Sequence, residues 1–292
     1  MSFEIGKVSG VRVSVMKENK LPITVLVITK NEESHLERCL DSLSAFSEVM
    51  VIDSYSEDLT KNIAKNNNFK VVDFFWNNSY PKKRQWCLDT INIGHDWVLW
   101  IDADEVVTAG FIEELTFITK INQPYCGYFI SSSYIWNGRT LRYGFKNNKL
   151  SFYNRSMIVF PVVDDLDLEG MGEVEGHYQP VKVDKYVDKK IGQIKSRILH
   201  YAGEDRHRWV ERHKNYARWE AGMIKRDAYP KDPVFWRQWL KSLMRRSVFK
   251  PWAMFFYSYV FRLGFLDGSA GFDFALSRKF YCDLVLKELR SL

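Results

Sequence analysis

The sequence lacks the cysteine clusters that build zinc sites and disulfide frameworks. Its 292 residues include only four cysteines, Cys39, Cys87, Cys126 and Cys282, and no two of them form a CxxC pair. Structural zinc sites and small secreted domains depend on closely spaced or numerous cysteines. We therefore expect four reduced, mostly buried thiols in a cytosolic protein.

Long apolar runs are also missing. No stretch reaches the ~18 apolar residues of a membrane-spanning helix, and the first 20 residues carry acids without the apolar core of a signal peptide. The composition is nevertheless that of a folded chain, because 46% of the residues are hydrophobic and 15% are aromatic. The length suits one large domain, or a domain with an appendage.

From residue 21 the chain alternates apolar strand patterns with helical patterns. Strands are predicted over residues 23–29, 48–54, 70–76 and 96–102, with helices between them. Strands this apolar predict a mostly parallel sheet that is covered by helices on both faces. Ligands of such sheets lie beyond the carboxyl ends of the strands, where the segments "TKNEE", "DSYSED" and "DADE" converge. Residues 125–200 carry β-rich patterns that predict an antiparallel or mixed extension.

Two aspartates end the fourth predicted strand. Asp102 and Asp104 follow a buried run and are separated only by Ala103, so their oxygens can bind a hard cation such as Mg²⁺ or Mn²⁺. A solvated acidic turn is the alternative, but the polar ends of two neighbouring strands favour a metal–diphosphate site. The glycine-rich loops GxxxxGK[ST] and GxGxxG are absent, so a diphosphate would depend on the metal, helped by Lys83 or Arg84.

Four segments resemble, in the correct order, the family 2 glycosyltransferases with the GT-A fold: "VLVITKNEESHLERCLDSL", "VIDSYSEDLT", "KKRQWCLD" and "WVLWIDADE". The resemblance covers residues 21–120 and is closest to the bacterial branch that builds lipopolysaccharide core and other surface glycans. It departs from the family at Tyr55 and Leu59, where glycines are common. It implies an α/β GT-A fold with a mostly parallel central sheet flanked by helices and a C-terminal helical appendage.

The resemblance also implies the reaction, which is inverting transfer of a hexose from a UDP-sugar to a lipid-linked or lipopolysaccharide-type glycan. Mn²⁺ or Mg²⁺ would bind Asp104 and Asp102, and His200 could complete the metal shell, although a lone histidine at a strand end is more often simply hydrogen-bonded. Lys83 is undecided between a phosphate contact and a solvated helix face. The residues implied to contact the nucleotide-sugar are Thr29, Glu32, Asp53, Lys83, Arg84 and Asp102.

The acceptor's proton must pass to a basic group, and the segment "EGMGEVEGHYQP" (residues 169–180) is where the family carries it. The sequence does not separate Glu173, Glu175 and His177. We favour Glu175 as the base, with His177 contacting the diphosphate or supporting the base, against the alternative that these are ordinary loop residues. We expect Glu33, Ser56 and Asp58 to cap helices rather than bind ligands.

Acids are scarce between residues 236 and 280, where eight bases accompany only Asp267 and Asp273. The aromatic run "WAMFFYSYVF" in this stretch suits a membrane interface, where rings and cations anchor to anionic lipid. A helical subdomain that packs its aromatic residues inward is the alternative, and both can hold. No recognised nucleic-acid motif accompanies the bases, so we expect no nucleic-acid partner.

These patterns predict three regions. Residues 1–20 form an N-terminal extension, and residues 21–205 form the GT-A domain, with a nucleotide-sugar half (21–120) and an acceptor half (121–205). Residues 206–292 form a helical, basic and aromatic region, and the resemblance to the bacterial branch implies that this region holds the chain to the inner face of the cytoplasmic membrane.

Two other functions share some of these features. A sugar-nucleotide nucleotidyltransferase would have a similar sheet and metal-binding acids, but the glycine-rich basic start that it needs is missing after "VLVIT". A catalytically silent, membrane-bound subunit of a glycan-assembly system would retain its function when Asp102 and Asp104 are replaced by alanine.

Overall fold

The computed structural model describes residues 20–121, 124–170, 172–173, 175, 178–230 and 235–292. All of the predicted N-terminal extension except Lys20 lies outside the described residues. The strands are β1 (Leu21–Thr29), β2 (Phe46–Asp53), β3 (Lys70–Asp73), β4 (Trp97–Asp102), β5 (Glu105–Val106), β6 (Tyr125–Trp136), β7 (Arg139–Thr140), β8 (Asn148–Asn154), β9 (Ile158–Val159), β10 (Val181–Lys182), β11 (Lys190–Gln193) and β12 (Ile198–His200).

Helices flank these strands and make up most of the C-terminal region. The α-helices are α1 (Leu36–Asp41), α2 (Thr60–Asn66), α3 (Lys83–Thr90), α4 (Ala109–Lys120), α5 (Arg206–Arg226), α6 (Phe235–Arg246), α7 (Lys250–Phe256) and α8 (Gly268–Ser291). Shorter helical turns lie at Asp184–Tyr186, Tyr257–Phe261 and Gly264–Asp267.

The central sheet runs in the order β3-β2-β1-β4-β8-β6-β12-β5, with β11 and β7 also paired to β6. Strands β3, β2, β1 and β4 are parallel, which confirms the parallel half predicted from their continuous apolar runs. Strand β8 pairs antiparallel with both β4 and β6, whereas β12 runs parallel to β6. The β-rich segment after α4 is therefore a mixed extension of the same sheet.

Strand register brings the polar strand ends together. Thr29 at the end of β1 pairs with Asp53 at the end of β2, and Ile28 pairs with Asp102 at the end of β4. Because β8 is antiparallel to β4, its first residues, including Lys149, lie beside the last residues of β4. One edge of the sheet thus collects carboxylates from the parallel half and a cation from the antiparallel half.

Alternation along the strands gives the sheet two apolar faces. Val25 and Val27 of β1 pack with α1 and α4, whereas Leu26 packs on the opposite face with Trp100 and with Cys87 of α3. All four cysteines are buried free thiols, as expected. Burial on both faces explains why these strands read as continuous apolar runs rather than as alternating ones.

The capping predicted for Ser56 is wrong, whereas that predicted for Asp58 is confirmed, because its carboxylate accepts from the amide of Thr60, the first residue of α2, at 3.0 Å. Leu59 holds the N-cap position of α2 and its side chain makes no capping hydrogen bond. Ser56 and Asp58 also accept hydrogen bonds from the backbone of the loop after β1, at the amides of Asn31 (2.7 Å) and Glu33 (3.1 Å). Their oxygens therefore join two loops at the polar edge of the sheet. Glu33 does serve the start of α2, because its carboxylate accepts from the Leu59 amide at 2.9 Å.

The C-terminal helices pack against the sheet extension and against each other. Trp136 at the end of β6 packs with Trp209 of α5 and Phe274 of α8, and farther along the two helices Ala217 packs with Tyr281. The packed helical subdomain considered as an alternative is thus present on this face. Within the described ranges no helix is both long enough and apolar enough to span a membrane.

A buried ion pair fastens the start of α3 to the segment that follows β9. The Lys82 Nζ lies 2.6 Å from Asp165, and both side chains are inaccessible to solvent. Asp165 also accepts from the Tyr80 hydroxyl at 2.8 Å and from the Trp219 indole of α5 at 2.9 Å. Because every oxygen of this carboxylate has a partner, the network holds three distant segments in one arrangement.

We expect Asp165→Asn to lower the free energy of unfolding by about 3–5 kcal/mol, because it leaves the buried Lys82 charge without a counter-ion. Chemical denaturation measures the change. Asp167→Asn is the matched control, since Asp167 lies two residues away and pairs with Arg226 at an exposed site. Equal, small effects of the two substitutions would show that the buried pair does not contribute to stability in this way.

Candidate active site

A cavity of about 1370 Å³ opens at the carboxyl ends of the parallel strands. Its walls include the ends of β1 and β4, the start of β8, the segment around Glu173 and the inner faces of α5 and α8. Pockets for small ligands usually have volumes of roughly 300–1,000 Å³. The cavity is therefore large enough for a nucleotide-sugar and part of a second substrate.

Cations from other elements surround the two aspartates at the end of β4. The Asp102 carboxylate is hydrogen-bonded by the Lys149 ammonium and lies 3.5 Å from Arg84 Nη2. The Asp104 carboxylate lies 3.3 Å from His200 Nε2 and 3.8 Å from Arg212 Nη1. The clustered acids therefore do not face one another unopposed, because each carboxylate has two basic neighbours.

These pairings hold the carboxylates in their charged form. Burial raises the pKa of Asp104, but the His200 charge and hydrogen bond outweigh it and hold the pKa well below the ordinary value. Burial likewise raises the pKa of Asp102, whereas the Lys149 charge lowers it, and the pKa of Asp102 is lowered overall. Burial lowers the pKa of Lys149, and the charges of Asp102 and Glu105 more than reverse this. The site therefore presents ionised oxygens to the cavity.

The donor atoms at Asp104 and His200 fit a divalent cation. The His200 Nε2 lies 3.3 Å from an Asp104 oxygen, close to the ~3 Å that separates adjacent ligands of an octahedral ion with bonds of 2.0–2.1 Å. The described residues contain no group of three or more acidic, histidine or cysteine ligands. Mg²⁺ and Mn²⁺ commonly take one or two protein ligands and complete their shell with water and phosphate oxygens.

The imidazole of His200 is held by packing rather than by a hydrogen bond to its second nitrogen. Tyr134 stacks on it with ring centroids 5.0 Å apart. Its Nδ1 is buried without a hydrogen-bond partner among the described residues and lies 3.8 Å from Glu105. Nε2 is thus the nitrogen that faces Asp104 and is available to a ligand.

The residues predicted to contact the nucleoside form two layers. Thr29 and Glu32 line the cavity. Asp53 is fully buried behind them, where it accepts from the Thr29 hydroxyl at 2.9 Å and from the Ser56 amide at 2.8 Å. Glu32 lies 3.4 Å from Arg208 of α5. Asp53 therefore fixes the position of Thr29 and of the loop after β2, and its predicted contact with the uridine stays a prediction.

Lys83 and Arg84 both reach the cavity from the start of α3. The solvated helix face considered for Lys83 is wrong, because this residue is 1% exposed. Its ammonium lies 3.0 Å from Glu173, and burial lowers its pKa despite that carboxylate. Arg84 bridges two parts of the site, since its guanidinium reaches both Asp102 and the backbone carbonyl of Glu175 (3.3 Å).

Two of the three candidate bases are placed by the structure, whereas His177 lies outside the described residues. Glu175 is 2% exposed, and its two carboxylate oxygens accept hydrogen bonds from the amides of Arg84 (3.1 Å) and Gln85 (2.9 Å). It therefore caps the N-terminus of α3 from 90 residues away, a role the sequence did not reveal. Glu173 is more open, with 17% of its side chain exposed beside Lys83.

Three basic residues of the site were not predicted from the sequence, namely Lys149, Arg208 and Arg212. Lys149 stands at the start of a strand, and only the antiparallel pairing of β8 with β4 brings it to Asp102. Arg208 and Arg212 are four residues apart on α5, so they share one face, and that face covers Glu32 and Asp104. Their spacing indicates a shared helix face, but it does not distinguish these two arginines from the many other basic residues of α5.

Comparison with known proteins gives one family and several distant relatives. The profile described as "Glycosyl transferase family 2" matches residues 24–171, just over half of the chain. A protein of Rickettsia typhi named as an uncharacterized glycosyltransferase is 28% identical over 191 residues, which cover 57% of this chain and 63% of that protein. The lipopolysaccharide core biosynthesis glycosyltransferase LpsC of Rhizobium meliloti is 30% identical over 94 residues, covering 30% of this chain and 33% of LpsC. The chain thus spans less than two thirds of the length of these relatives.

Among solved structures, the mannosyltransferase PcManGT from Pyrobaculum calidifontis, determined with GDP-Man and Mn²⁺, superimposes with a TM-score of 0.50. The match covers 93% of this chain and 87% of PcManGT at 14% identity. At this identity the likeness concerns the fold alone, and it confirms the predicted GT-A architecture.

We expect Glu175→Gln to lower the free energy of unfolding by about 1–3 kcal/mol, because the amide nitrogen of glutamine cannot accept the hydrogen bond of one of the two α3 amides. Chemical denaturation measures the effect. Glu169→Gln is the control, since Glu169 lies in the same segment and is exposed. If the two variants unfold alike, Glu175 does not hold the start of α3.

Proposed function

The chain belongs to glycosyl transferase family 2, and from that membership we propose that it is an inverting, metal-dependent glycosyltransferase. It moves a hexose from a UDP-sugar to a lipid-linked or lipopolysaccharide-type glycan. The observation that carries the proposal is the ionised pair Asp102 and Asp104, which opens into the cavity and is balanced by side chains that a phosphate ligand can recruit. The resemblance to LpsC supports a lipopolysaccharide-type acceptor.

A divalent ion bound by Asp104 and His200, with Asp102 beside it, would supply the positive charge that a departing diphosphate requires. The protein's own cations complete this environment. Arg84, Lys149 and Arg212 already point at the two aspartates. When a metal neutralises those carboxylates, the three side chains become available to phosphate oxygens, and Arg in particular binds them bidentately.

The donor nucleoside is placed between β1 and β2 in this proposal. Thr29 and Glu32 form the wall, Asp53 holds that wall from behind, and Lys83 lies at the base of α3 beside the diphosphate. UDP is proposed from the family resemblance. A nucleotidyltransferase would instead need a basic, glycine-rich loop after β1, and the sequence has "TKNEE" there.

The base that takes the acceptor proton is proposed to be Glu175, with His177 supporting it or contacting the diphosphate. Glu173 is the second candidate, and its more open side chain favours it. Both carboxylates belong to the cavity wall. Loss of donor transfer without loss of UDP binding in Glu173→Gln, but not in Glu175→Gln, would assign the base to Glu173.

Association with the inner face of the cytoplasmic membrane is proposed through residues 236–280. Trp236 and Trp239 of α6 are 73% and 54% exposed, and Leu240 and Leu243 continue the same apolar surface. Rings of this kind insert at the interface between water and lipid. Not every base of the region faces outward, because Lys250 lies 2.9 Å from Glu220 in the interior of the cavity wall.

We expect UDP with Mn²⁺ to raise the Tm of the wild-type protein by about 5 °C at a UDP concentration about 100 times its Kd. Asp104→Asn removes a proposed metal ligand and should abolish most of that shift, whereas Asp41→Asn, at an exposed position of α1, should retain it. Comparing the shifts produced by UDP, GDP and dTDP tests which nucleobase the donor carries. A UDP shift that is the same without metal, or unchanged in Asp104→Asn, would contradict the metal-dependent reaction. The silent-subunit alternative predicts no nucleotide shift at all.

We expect the double variant Trp236→Ala, Trp239→Ala to bind vesicles of phosphatidylcholine and phosphatidylglycerol at least about tenfold more weakly than the wild type, because two interfacial rings are lost. Co-flotation with the vesicles measures binding. The control is Phe117→Ala, which removes an equally exposed ring from α4. Equal flotation of all three proteins would rule out α6 as the membrane anchor.

A further inference from the structure

One part of the cavity is lined by the C-terminal helices rather than by the strand ends that carry the two aspartates. We call it the C-terminal arm and define it by Phe145, Lys250, Met254, Phe274, Arg278 and Tyr281, all of which line the cavity. These residues come from the segment before β8 and from α7 and α8. None of them belongs to the proposed donor site.

Arg278 is the cation of this arm that makes no ion pair with a carboxylate of the described residues. Its Nε is buried and has no hydrogen-bond partner among the described residues. Its guanidinium carbon lies 4.7 Å from the centre of the Phe145 ring and 5.8 Å from that of Tyr281. Lys250, in contrast, is paired with Glu220 at 2.9 Å. Glu220 also lines the cavity, but its carboxylate is engaged by Lys250 and the Tyr281 hydroxyl. A guanidinium that lies beside two rings in a cavity, with no ion pair to a described carboxylate, is suited to an anion from outside the chain.

The arm is separated from the proposed metal site by aromatic rings. Tyr134 stacks on His200 with ring centroids 5.0 Å apart, and the centroid of the Phe274 ring lies 4.8 Å from that of Tyr134. Arg278 follows Phe274 by four residues on α8, which places the two side chains on one helix face. Arg278 therefore lies beside this aromatic group and is not among the cations that contact Asp102 and Asp104.

The arm also lies beneath the exposed aromatic surface of α7. Met254 lines the cavity, while Trp252 and Phe256 of the same helix are 53% and 48% exposed on the outside. A molecule that enters the arm from this side passes the surface proposed to meet lipid. The position suits the anionic group of an acceptor that is itself attached to a lipid.

We propose that Arg278 is an acceptor-binding residue that pairs with a phosphate group carried by the acceptor. The inference rests on the proposed glycosyltransferase function, because it assigns the second substrate of that reaction a chemical class. The guanidinium offers two parallel N–H donors to phosphate oxygens, and the Phe145 and Tyr281 rings fix its plane. The phosphate can belong to a lipid carrier or to a phosphorylated sugar.

The test measures phosphate binding by calorimetry on protein that is already saturated with UDP and Mg²⁺, so that the donor site is filled. The probes are inorganic phosphate and octyl phosphate, with octyl glucoside as the uncharged control of the same chain length. The variants are Arg278→Gln and Arg278→Lys, and Arg290→Gln is the matched control because it removes an exposed arginine from the same helix.

We expect Arg278→Gln to weaken binding of both phosphates by about tenfold or more, Arg278→Lys to restore part of it, and Arg290→Gln to leave it unchanged. Tighter binding of octyl phosphate than of inorganic phosphate and octyl glucoside would identify a lipid phosphate, and equal binding of the two phosphates would identify a phosphorylated sugar. Phosphate affinity that is the same in wild type and Arg278→Gln, while both bind UDP, overturns the inference. Failure of the wild type to bind UDP instead contradicts the proposed function.

Discussion

The site depends on one electrostatic constraint: carboxylates at the end of a buried strand cannot stand close together without cations. Two unit charges ~4 Å apart repel by about 4 kcal/mol near a protein surface. The protein meets this constraint with Arg84 from α3, Lys149 from β8, His200 from β12 and Arg212 from α5. Three of these four residues lie beyond residue 120. The acidic end of β4 is therefore balanced only when the later half of the chain has folded over it.

The same arrangement suits the proposed exchange, in which side-chain cations leave the aspartates and contact phosphate oxygens. Arg84, Lys149 and Arg212 belong to separate elements, so the proposed turn of each side chain from a carboxylate to a phosphate leaves the sheet undisturbed. The scaffold beneath them is fixed by different contacts, namely the buried Lys82–Asp165 pair and the capping of α3 by Glu175. Charge balance and structural support are thus carried by different residues in one small region.

Much of the parallel half was readable from the sequence, and the limits have physical causes. Strands β1, β2 and β4 are buried on both faces, so their apolar runs are continuous and unmistakable. Strand β3 ends at Asp73, before the predicted Trp76. The Phe74 amide still donates to Asp53 at 2.8 Å, and beyond it the Phe74 ring packs against Trp76 and Trp86. Lys149 and Glu175 could not have been assigned from spacing, because their partners lie 47 and 91 residues away in the chain.

The C-terminal helices belong to the site as well as to its surroundings. Helix α5 brings Arg208 and Arg212 to Glu32 and Asp104. Helix α8 contributes Arg278 to the C-terminal arm, and α7 lines that arm on one face and exposes aromatic rings on the other. Packing inward and contact with lipid outward are compatible, because they use different faces of these helices. The proposed route of a lipid-attached acceptor from the membrane to the aspartates depends on this division of faces.

The most direct measurement is anomalous diffraction at the manganese edge from crystals grown with Mn²⁺ and UDP. The expected map has a manganese peak coordinated by Asp104, with UDP phosphate oxygens in its shell and Lys149 or Arg212 turned from the aspartates toward the diphosphate. A map in which UDP and manganese are bound but the ion lies away from Asp104, or in which neither binds, would contradict the assignment of these carboxylates to metal-assisted transfer.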